Sequence, residues 1–185
     1  DPERESPDLY LGIDCSGSMG NPRVQLSYPV LAGVIMCLSA LRAGASAMAC
    51  LSGEPGEFSE TGGFVRSEKE LLRILTGYHG TGYSYGAGRL DDTFIKKPAR
   101  DKDTHLLIIT DSDIFHMLDQ YPDGWLVAEM ALEIARGGGT MVLNIPSRDY
   151  YKDPIARLEA MGWRIHTIAS WEDLVAFARA FSRET

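Results

Sequence analysis

The sequence predicts a doubly wound α/β domain, in which a mostly parallel central sheet carries helices on both faces. Two observations predict this fold. Short apolar runs bounded by turn residues alternate with longer runs of helical periodicity. Some of the short runs are apolar without a break, as in Leu106-Leu107-Ile108-Ile109, and such runs indicate strands that are covered on both faces.

The predicted elements alternate along the chain. The predicted strands are 9–14, 45–52, 58–65, 105–110, 140–145 and 164–168, and the predicted helices are 24–42, 67–76, 87–97, 125–136, 154–161 and 171–183. The segment 53–63 is polar and rich in glycine. It is either an exposed hairpin around a short antiparallel edge strand or a long loop.

Local residue choices refine three of the helix boundaries. Pro29 fits the first turn of a helix better than its interior, so the first helix is expected to begin near Tyr28. Ser67 followed by Glu70 is the pattern of a capping box. The glycine run 137–139 is expected to end the helix 125–136 and to lead into the next strand.

Length and composition indicate one ordinary globular domain. The chain has 185 residues, of which 44% are hydrophobic and 24% charged, and this is enough to bury a full core. We expect residues 1–8, which are polar and contain two prolines, to form a flexible lead-in. Residues 9–185 are then one domain, cut from a longer polypeptide.

Charge and hydropathy exclude two classes of partner. The formal net charge of −8 argues against nucleic acid, which requires a concentrated basic face. The longest apolar stretch, 30–41, is too short to cross a bilayer. The three cysteines are widely spaced, which favours free thiols in a reducing compartment and therefore a cytoplasmic protein.

Oxygen-bearing side chains follow the first predicted strand at every second position. Asp14, Ser16 and Ser18 come directly after the run Leu9 to Ile13. The carboxyl ends of parallel strands are where open α/β sheets hold their ligands. Carboxylate and hydroxyl oxygens without thiolate or imidazole suit a hard cation such as Mg²⁺ or Mn²⁺. The sequence therefore predicts a metal site at this edge of the sheet.

A second strand, 105–110, ends in Asp111. The motif Asp14-Cys15-Ser16-Gly17-Ser18, followed much later by this aspartate, resembles the metal-ion-dependent adhesion site of von Willebrand factor type A domains. The resemblance implies a Rossmann-like fold and a Mg²⁺ or Mn²⁺ ion near Asp14, Ser16, Ser18 and Asp111. It also implies a threonine from a second loop.

Two residues of the second loop are candidates for that ligand. Thr81 matches the residue type of the family, whereas Ser84 matches the spacing to the following helix. Both side chains carry a hydroxyl, and both remain candidates.

The resemblance also implies a function. In this family the ion commonly binds a Glu or Asp side chain of a partner protein, so the chain is expected to be a recognition module and not an enzyme. The sequence Asp-Cys-Ser-Gly-Ser-Met resembles the corresponding motif of intracellular prokaryotic members of the family, which are often partners of AAA+ ATPases. No catalytic residue and no organic cofactor are expected.

Two other interpretations stay open. Asp111 and Asp113 form an Asp-x-Asp motif after an apolar strand, as in metal-dependent phosphotransferases of the haloacid dehalogenase type, where the first aspartate is the nucleophile. That motif belongs to a first strand, whereas three predicted strands precede this one. A loop position in solvent is the simpler interpretation of Asp113, and an outer-sphere role at the metal ion is the sharper one. The third interpretation is a scaffold whose metal ion is only structural.

Overall fold

Within the part of the chain that the structure describes, the sheet has six strands in the order β3-β2-β1-β4-β5-β6. The computed structural model describes residues 5–14, 27–54, 56–77 and 86–184, with the side chains of 181–184 excepted. The strands are β1 Asp8–Asp14, β2 Ala47–Ser52, β3 Phe58–Glu60, β4 Thr104–Thr110, β5 Arg136–Leu143 and β6 Trp163–Thr167. Only β3 runs antiparallel, on the outer side of β2. This confirms the predicted, mostly parallel sheet and its antiparallel edge strand.

The described helices lie between the strands, as a doubly wound fold requires. They are α1 Tyr28–Arg42, α2 Glu68–Leu75, α3 Gly86–Leu90, α4 Asp113–Gln120, α5 Gly124–Ala135, α6 Lys152–Met161 and α7 Trp171–Glu184. A π-helical turn, Asp91–Ile95, continues α3, and a 3₁₀ turn, Arg148–Tyr151, precedes α6. None of these helices is both long and apolar enough to cross a membrane.

Each face of the sheet supports its own hydrophobic core. Leu106 and Ile108 of β4 belong to the core beneath α3, α4, α5 and α6. Leu107 and Ile109 belong to the opposite core, beneath α1, α2 and α7. Successive side chains of a strand point to opposite faces. The unbroken apolar run of β4 therefore results from burial on both sides.

The observed starts of α1 and α2 agree with the starts predicted from the sequence, but the Glu70 side chain has a different partner. α1 begins at Tyr28, with Pro29 in its first turn, and the Ser27 hydroxyl accepts a hydrogen bond from the Val30 N–H. Ser67 caps α2 by accepting from the Glu70 N–H at 3.2 Å. The Glu70 carboxylate, however, accepts from the Gly62 N–H at 3.2 Å. Glu70 thus ties α2 to the segment after β3.

The prediction for the glycine run 137–139 is wrong. α5 ends at Ala135, and Arg136 adopts the left-handed conformation with φ 66°. The three glycines lie inside β5. A Cβ on Gly137 would lie 2.5 Å from the carbonyl carbon and oxygen of Thr104. Gly137 permits close approach of β5 to β4, and no local sequence pattern reveals such a contact.

Helix α4 is absent from the sequence-based prediction. Its buried residues are Ile114, Phe115, Met117 and Leu118. They follow a helical spacing, but the helix has only eight residues, and Asp111-Ser112-Asp113 at its start resembles a loop. Such a short segment depends on tertiary packing for its stability.

Asp8 is the buried charged residue at the opposite edge of the sheet, where β1 begins. It is 3% exposed, and its carboxylate accepts hydrogen bonds from the Ser46 N–H and from Arg100, both at 2.9 Å. Lys102 lies 3.3 Å away. Burial by itself would raise the pKa of Asp8, but the Ser46 N–H, Arg100 and Lys102 outweigh it and lower the pKa below 3.8. Asp8 thus joins the starts of β1, β2 and β4.

We expect Asp8→Asn to reduce the free energy of unfolding by about 2 kcal/mol at pH 7, because hydrogen bonds to a buried charge are lost. The pKa of Asp8 is lower in the folded state than in the unfolded state. The ionised carboxylate therefore stabilises the fold at pH values above the unfolded-state pKa, and this stabilisation is lost as the pH falls through the folded-state pKa. Urea denaturation at pH 7 and at pH 3 should therefore show a smaller difference between wild type and variant at pH 3. The exposed Asp101 gives the control, Asp101→Asn. A pH-independent difference would contradict this role.

Candidate metal centre

The ends of β1 and β4 bring two aspartates together at the carboxyl edge of the sheet. The two strands are parallel neighbours, with Ile13 paired to Ile109. Asp14 follows Ile13 as the last residue of β1, and Asp111 follows β4. The Thr110 hydroxyl donates to the Asp14 carboxylate at 2.9 Å. Asp14 is 5% exposed and Asp111 7%, so the interior of the protein holds both carboxylates in place.

Helix α4 adds a third carboxylate. Asp14, Asp111 and Asp113 each offer an oxygen atom, and these oxygens lie within 4.8 Å of one another. The Asp113 N–H donates to the Asp111 carboxylate at 2.9 Å. The expectation that Asp113 is a solvated loop residue is wrong, because it is half-buried in the first turn of α4. The apolar spacing of Ile114, Phe115, Met117 and Leu118 is the signal that could have revealed it.

The donor set fits a hard divalent cation. Three carboxylates this close repel one another when ionised, and burial of two of them strengthens the repulsion. A cation among them relieves it. The described donors are all oxygens, which is the ligand type that Mg²⁺ and Mn²⁺ prefer. Asp14, Asp111 and Asp113 are therefore the described residues that could hold the ion, directly or through water.

Ser52 lies beside Asp14 on the neighbouring strand and was not anticipated from the sequence. It is paired with Asp14 in the β1–β2 register, and it is buried. A Cβ on Gly86 would lie 3.5 Å from the Ser52 hydroxyl oxygen. Gly86 begins α3, directly after the second loop. The start of α3 therefore lies next to Ser52, the neighbour of Asp14.

The structure describes only some of the residues that the sequence nominated. It brings Asp14 and Asp111 together and adds Asp113, Ser52 and Thr110 around them. The four nominated hydroxyl residues, Ser16, Ser18, Thr81 and Ser84, lie outside the described residues.

A small cavity extends beneath the centre on the α3 side of the sheet. Its lining residues include Asp14, Ser52, Thr110, Tyr10, Cys50 and Arg89. Burial raises the pKa of Cys50 to about 11, so this thiol stays protonated and unreactive at neutral pH.

Arg89 fixes α3 against the antiparallel edge strand. Its guanidinium lies 2.9 Å from the Glu60 carboxylate and 3.9 Å from the centroid of the Phe58 ring. Both partners belong to β3. This contact holds α3, whose first residue, Gly86, lies beside Ser52.

Comparison with known proteins identifies the fold. No protein-family model matches the sequence, and no curated protein matches it. By structure, the chain is similar to an aerotolerance-related membrane protein from Bacteroides fragilis, with TM-score 0.56, 14% identity, and coverage of 97% of this chain and 98% of that one. It is also similar to the manganese-loaded TRAP protein of Plasmodium vivax, with TM-score 0.58, 19% identity, and coverage of 96% and 73%.

A third similar structure is the pilus adhesin SpaC from Lactobacillus rhamnosus in its open conformation. The TM-score is 0.62 at 11% identity, and the match covers all of this chain but 30% of SpaC. The aerotolerance and TRAP proteins are von Willebrand factor type A domain proteins. The chain therefore has the von Willebrand factor type A fold, as its motifs led us to expect. Identities this low establish the fold alone.

We expect Mn²⁺ or Mg²⁺ to stabilise the protein. An ion at one hundred times its Kd contributes about 2.7 kcal/mol, which corresponds to a rise in Tm of roughly 5–10 °C for a chain of this size. Asp113→Asn should raise the Tm of the metal-free protein, because one repulsive charge is gone, and should reduce the shift caused by Mn²⁺. Differential scanning calorimetry with and without EDTA measures both.

The matched control for this prediction is Glu133→Gln, which removes an exposed carboxylate from α5. It should leave the Mn²⁺-dependent shift unchanged. A wild-type Tm that does not respond to either ion would contradict the metal centre.

Proposed function

We propose that this protein is a metal-dependent recognition domain. A Mg²⁺ or Mn²⁺ ion at the carboxyl edge of the sheet binds a carboxylate of a partner protein. The observation that carries the proposal is the convergence of oxygens from Asp14, Asp111 and Asp113 within 4.8 Å at this edge. The proposed metal residues are Asp14, Ser16, Ser18, either Thr81 or Ser84, and Asp111.

The chemistry of the proposed ligands explains why a partner carboxylate would bind. Neutral hydroxyls contribute no charge, so an ion held by hydroxyl side chains, with carboxylates partly behind water, keeps residual positive charge. Magnesium retains water ligands and can exchange one for an incoming carboxylate. In this arrangement Asp113 would hold an ion-bound water, while its N–H keeps Asp111 oriented.

Two structures of similar fold support this choice of function. One is described as manganese-loaded and another as a pilus adhesin. Both descriptions fit a domain that binds a metal ion or a partner. We extend the proposal to a partner within an AAA+ ATPase assembly and to a cytoplasmic location. That extension rests on the resemblance of the Asp14 motif to intracellular prokaryotic members of the family, and on two buried free cysteines, Cys37 and Cys50.

One observation favours a second candidate function. Asp111 and Asp113, the pair required by a metal-dependent phosphotransferase, do lie in the same cluster. The burial of Asp111, however, leaves its carboxylate poorly placed to attack a phosphate ester. Measurable hydrolysis of p-nitrophenyl phosphate with Mg²⁺, abolished by Asp113→Ala, would favour the enzyme over the recognition domain.

Immobilised wild-type protein should retain partner proteins from a lysate of the source cells in the presence of Mg²⁺ and release them with EDTA. Asp14→Asn should retain at least tenfold less of the same proteins, because the ion loses a charged ligand. Mass spectrometry of the EDTA eluates measures this. Glu133→Gln serves as the control and should retain as much as wild type. Equal retention by wild type and Asp14→Asn would contradict the proposal.

A further inference from the structure

Helix α4 has an outer side that begins at the metal centre. The buried residues of the helix belong to its other side and are Ile114, Phe115, Met117 and Leu118. Asp113 is half-buried and His116 is exposed, and the two are three positions apart. Residues at this spacing are neighbours on one face of a helix, with about 5–6 Å between their Cβ atoms. His116 therefore lies one turn beyond the third carboxylate, on the same side of α4.

The direction of helical side chains brings His116 back towards that carboxylate. Side chains on an α-helix tilt towards its amino terminus and cover the preceding turn. In α4 the preceding turn carries Asp113, whose oxygen belongs to the carboxylate cluster. The imidazole of His116 therefore stands beside the cluster, on the solvent side.

Two contacts on the buried side of α4 fix the orientation of the helix. The Ala87 N–H donates to the sulfur of Met117 at 3.3 Å. The ring of Phe115 stacks on that of Tyr151, with 5.3 Å between the centroids. Because these contacts hold the buried side, they also hold His116 in place on the outer side.

His116 flanks the metal centre without belonging to the set of converging ligand atoms. The described group whose ligand atoms lie within 4.8 Å of one another comprises Asp14, Asp111 and Asp113, and no histidine. The imidazole of His116 also forms no hydrogen bond or ion pair with any residue that the structure describes. An imidazole carries at least one N–H donor in either protonation state. That donor is available to a molecule that binds at the metal centre.

Two other side-chain donors at this edge of the sheet have partners within the protein. The Thr110 hydroxyl donates to Asp14 at 2.9 Å, and the Ser52 hydroxyl donates to the carbonyl of Ile13 at 3.4 Å. Ser112, just before α4, has a hydroxyl that does not cap the helix. That hydroxyl is shorter than an imidazole, and its residue is only half-exposed.

A partner carboxylate at the metal centre brings two oxygens into the contact. When one oxygen binds the ion, the other is left near water-excluding surface, where a charged oxygen without a donor is unfavourable. We propose that the His116 imidazole donates a hydrogen bond to this second oxygen, so that the carboxylate is held between the ion and the ring. This inference rests on the proposed function, because the ion positions the first oxygen.

A peptide with one acidic residue provides the ligand for the test. Peptides from a displayed random library are bound to the wild-type protein in Mn²⁺ and eluted with EDTA. A synthetic copy of an eluted peptide is then titrated into the wild-type protein and its variants by calorimetry, with Mn²⁺ in excess. Circular dichroism verifies the fold of each variant.

The substitutions at His116 separate the shape of the ring from its donor. His116→Phe keeps a ring without an N–H and should weaken binding about tenfold, as expected for one hydrogen bond to a charged group. His116→Gln keeps an N–H donor and should retain most of the affinity. Gln120→Ala removes an exposed polar side chain one turn further along α4 and is the control expected to bind as wild type does.

The response of Tm to Mn²⁺ separates a contact with the partner from a contact with the ion. His116→Phe should show the same Mn²⁺-dependent rise in Tm as wild type, because the imidazole is not a metal ligand. A smaller rise in His116→Phe would make His116 a ligand of the ion and would overturn this inference.

The remaining outcomes distinguish failure of this inference from failure of the proposed function. If EDTA elutes no peptide with an acidic residue from the wild-type protein, both are overturned. If such peptides bind, but His116→Phe binds as wild type does or loses no more than His116→Gln, the donor role is overturned and the metal-dependent function stands. A loss in Ser112→Ala without a loss in His116→Phe would assign the hydrogen bond to the serine and would also overturn the inference.

Discussion

The parallel pairing of β1 with β4 is the constraint on which the candidate site depends. It joins strands far apart in the chain, so that the Thr110 hydroxyl reaches Asp14 across 96 residues. Both strands are buried on their two faces, so a shift of one residue in their pairing would disrupt both cores. The position of Asp14 relative to Asp111 is therefore fixed by apolar packing. The acidic side chains supply the charge of the site, but they do not determine their own relative positions.

Buried carboxylates at the two edges of the sheet have neighbours of opposite charge. At the amino edge, Asp8 is surrounded by Arg100, Lys102 and a backbone N–H, which satisfy its charge within the protein. At the carboxyl edge, Asp14 and Asp111 are joined by a third carboxylate from α4. The first arrangement stabilises the fold. The second concentrates negative charge where an ion can be held, and such concentration is tolerated at sites that bind ligands.

Prediction from the sequence succeeded where the pattern lay within one continuous segment of the chain. The start of α1 at Tyr28 followed from Pro29, and the strand runs followed from their apolar content. It failed where a contact distant in sequence decided the conformation. Gly137 is required by the backbone of Thr104, Gly139 by the side chains of Leu132 and Trp163, and α4 is stabilised by its four buried side chains. The interpretation of Asp113 as a solvated loop residue failed for the same reason.

The sequence by itself determined the chemistry of the site: an acidic residue at the end of each of two apolar strands, with hydroxyl residues after the first. It also determined the class of fold, since the alternation of strands and helices is a local property of the chain. Only the tertiary structure decided that Asp113 joins the pair and that Ser52 lies beside Asp14. Strand order and helix packing are set by contacts between distant segments. The spacing of residues along one segment does not reveal contacts with distant segments.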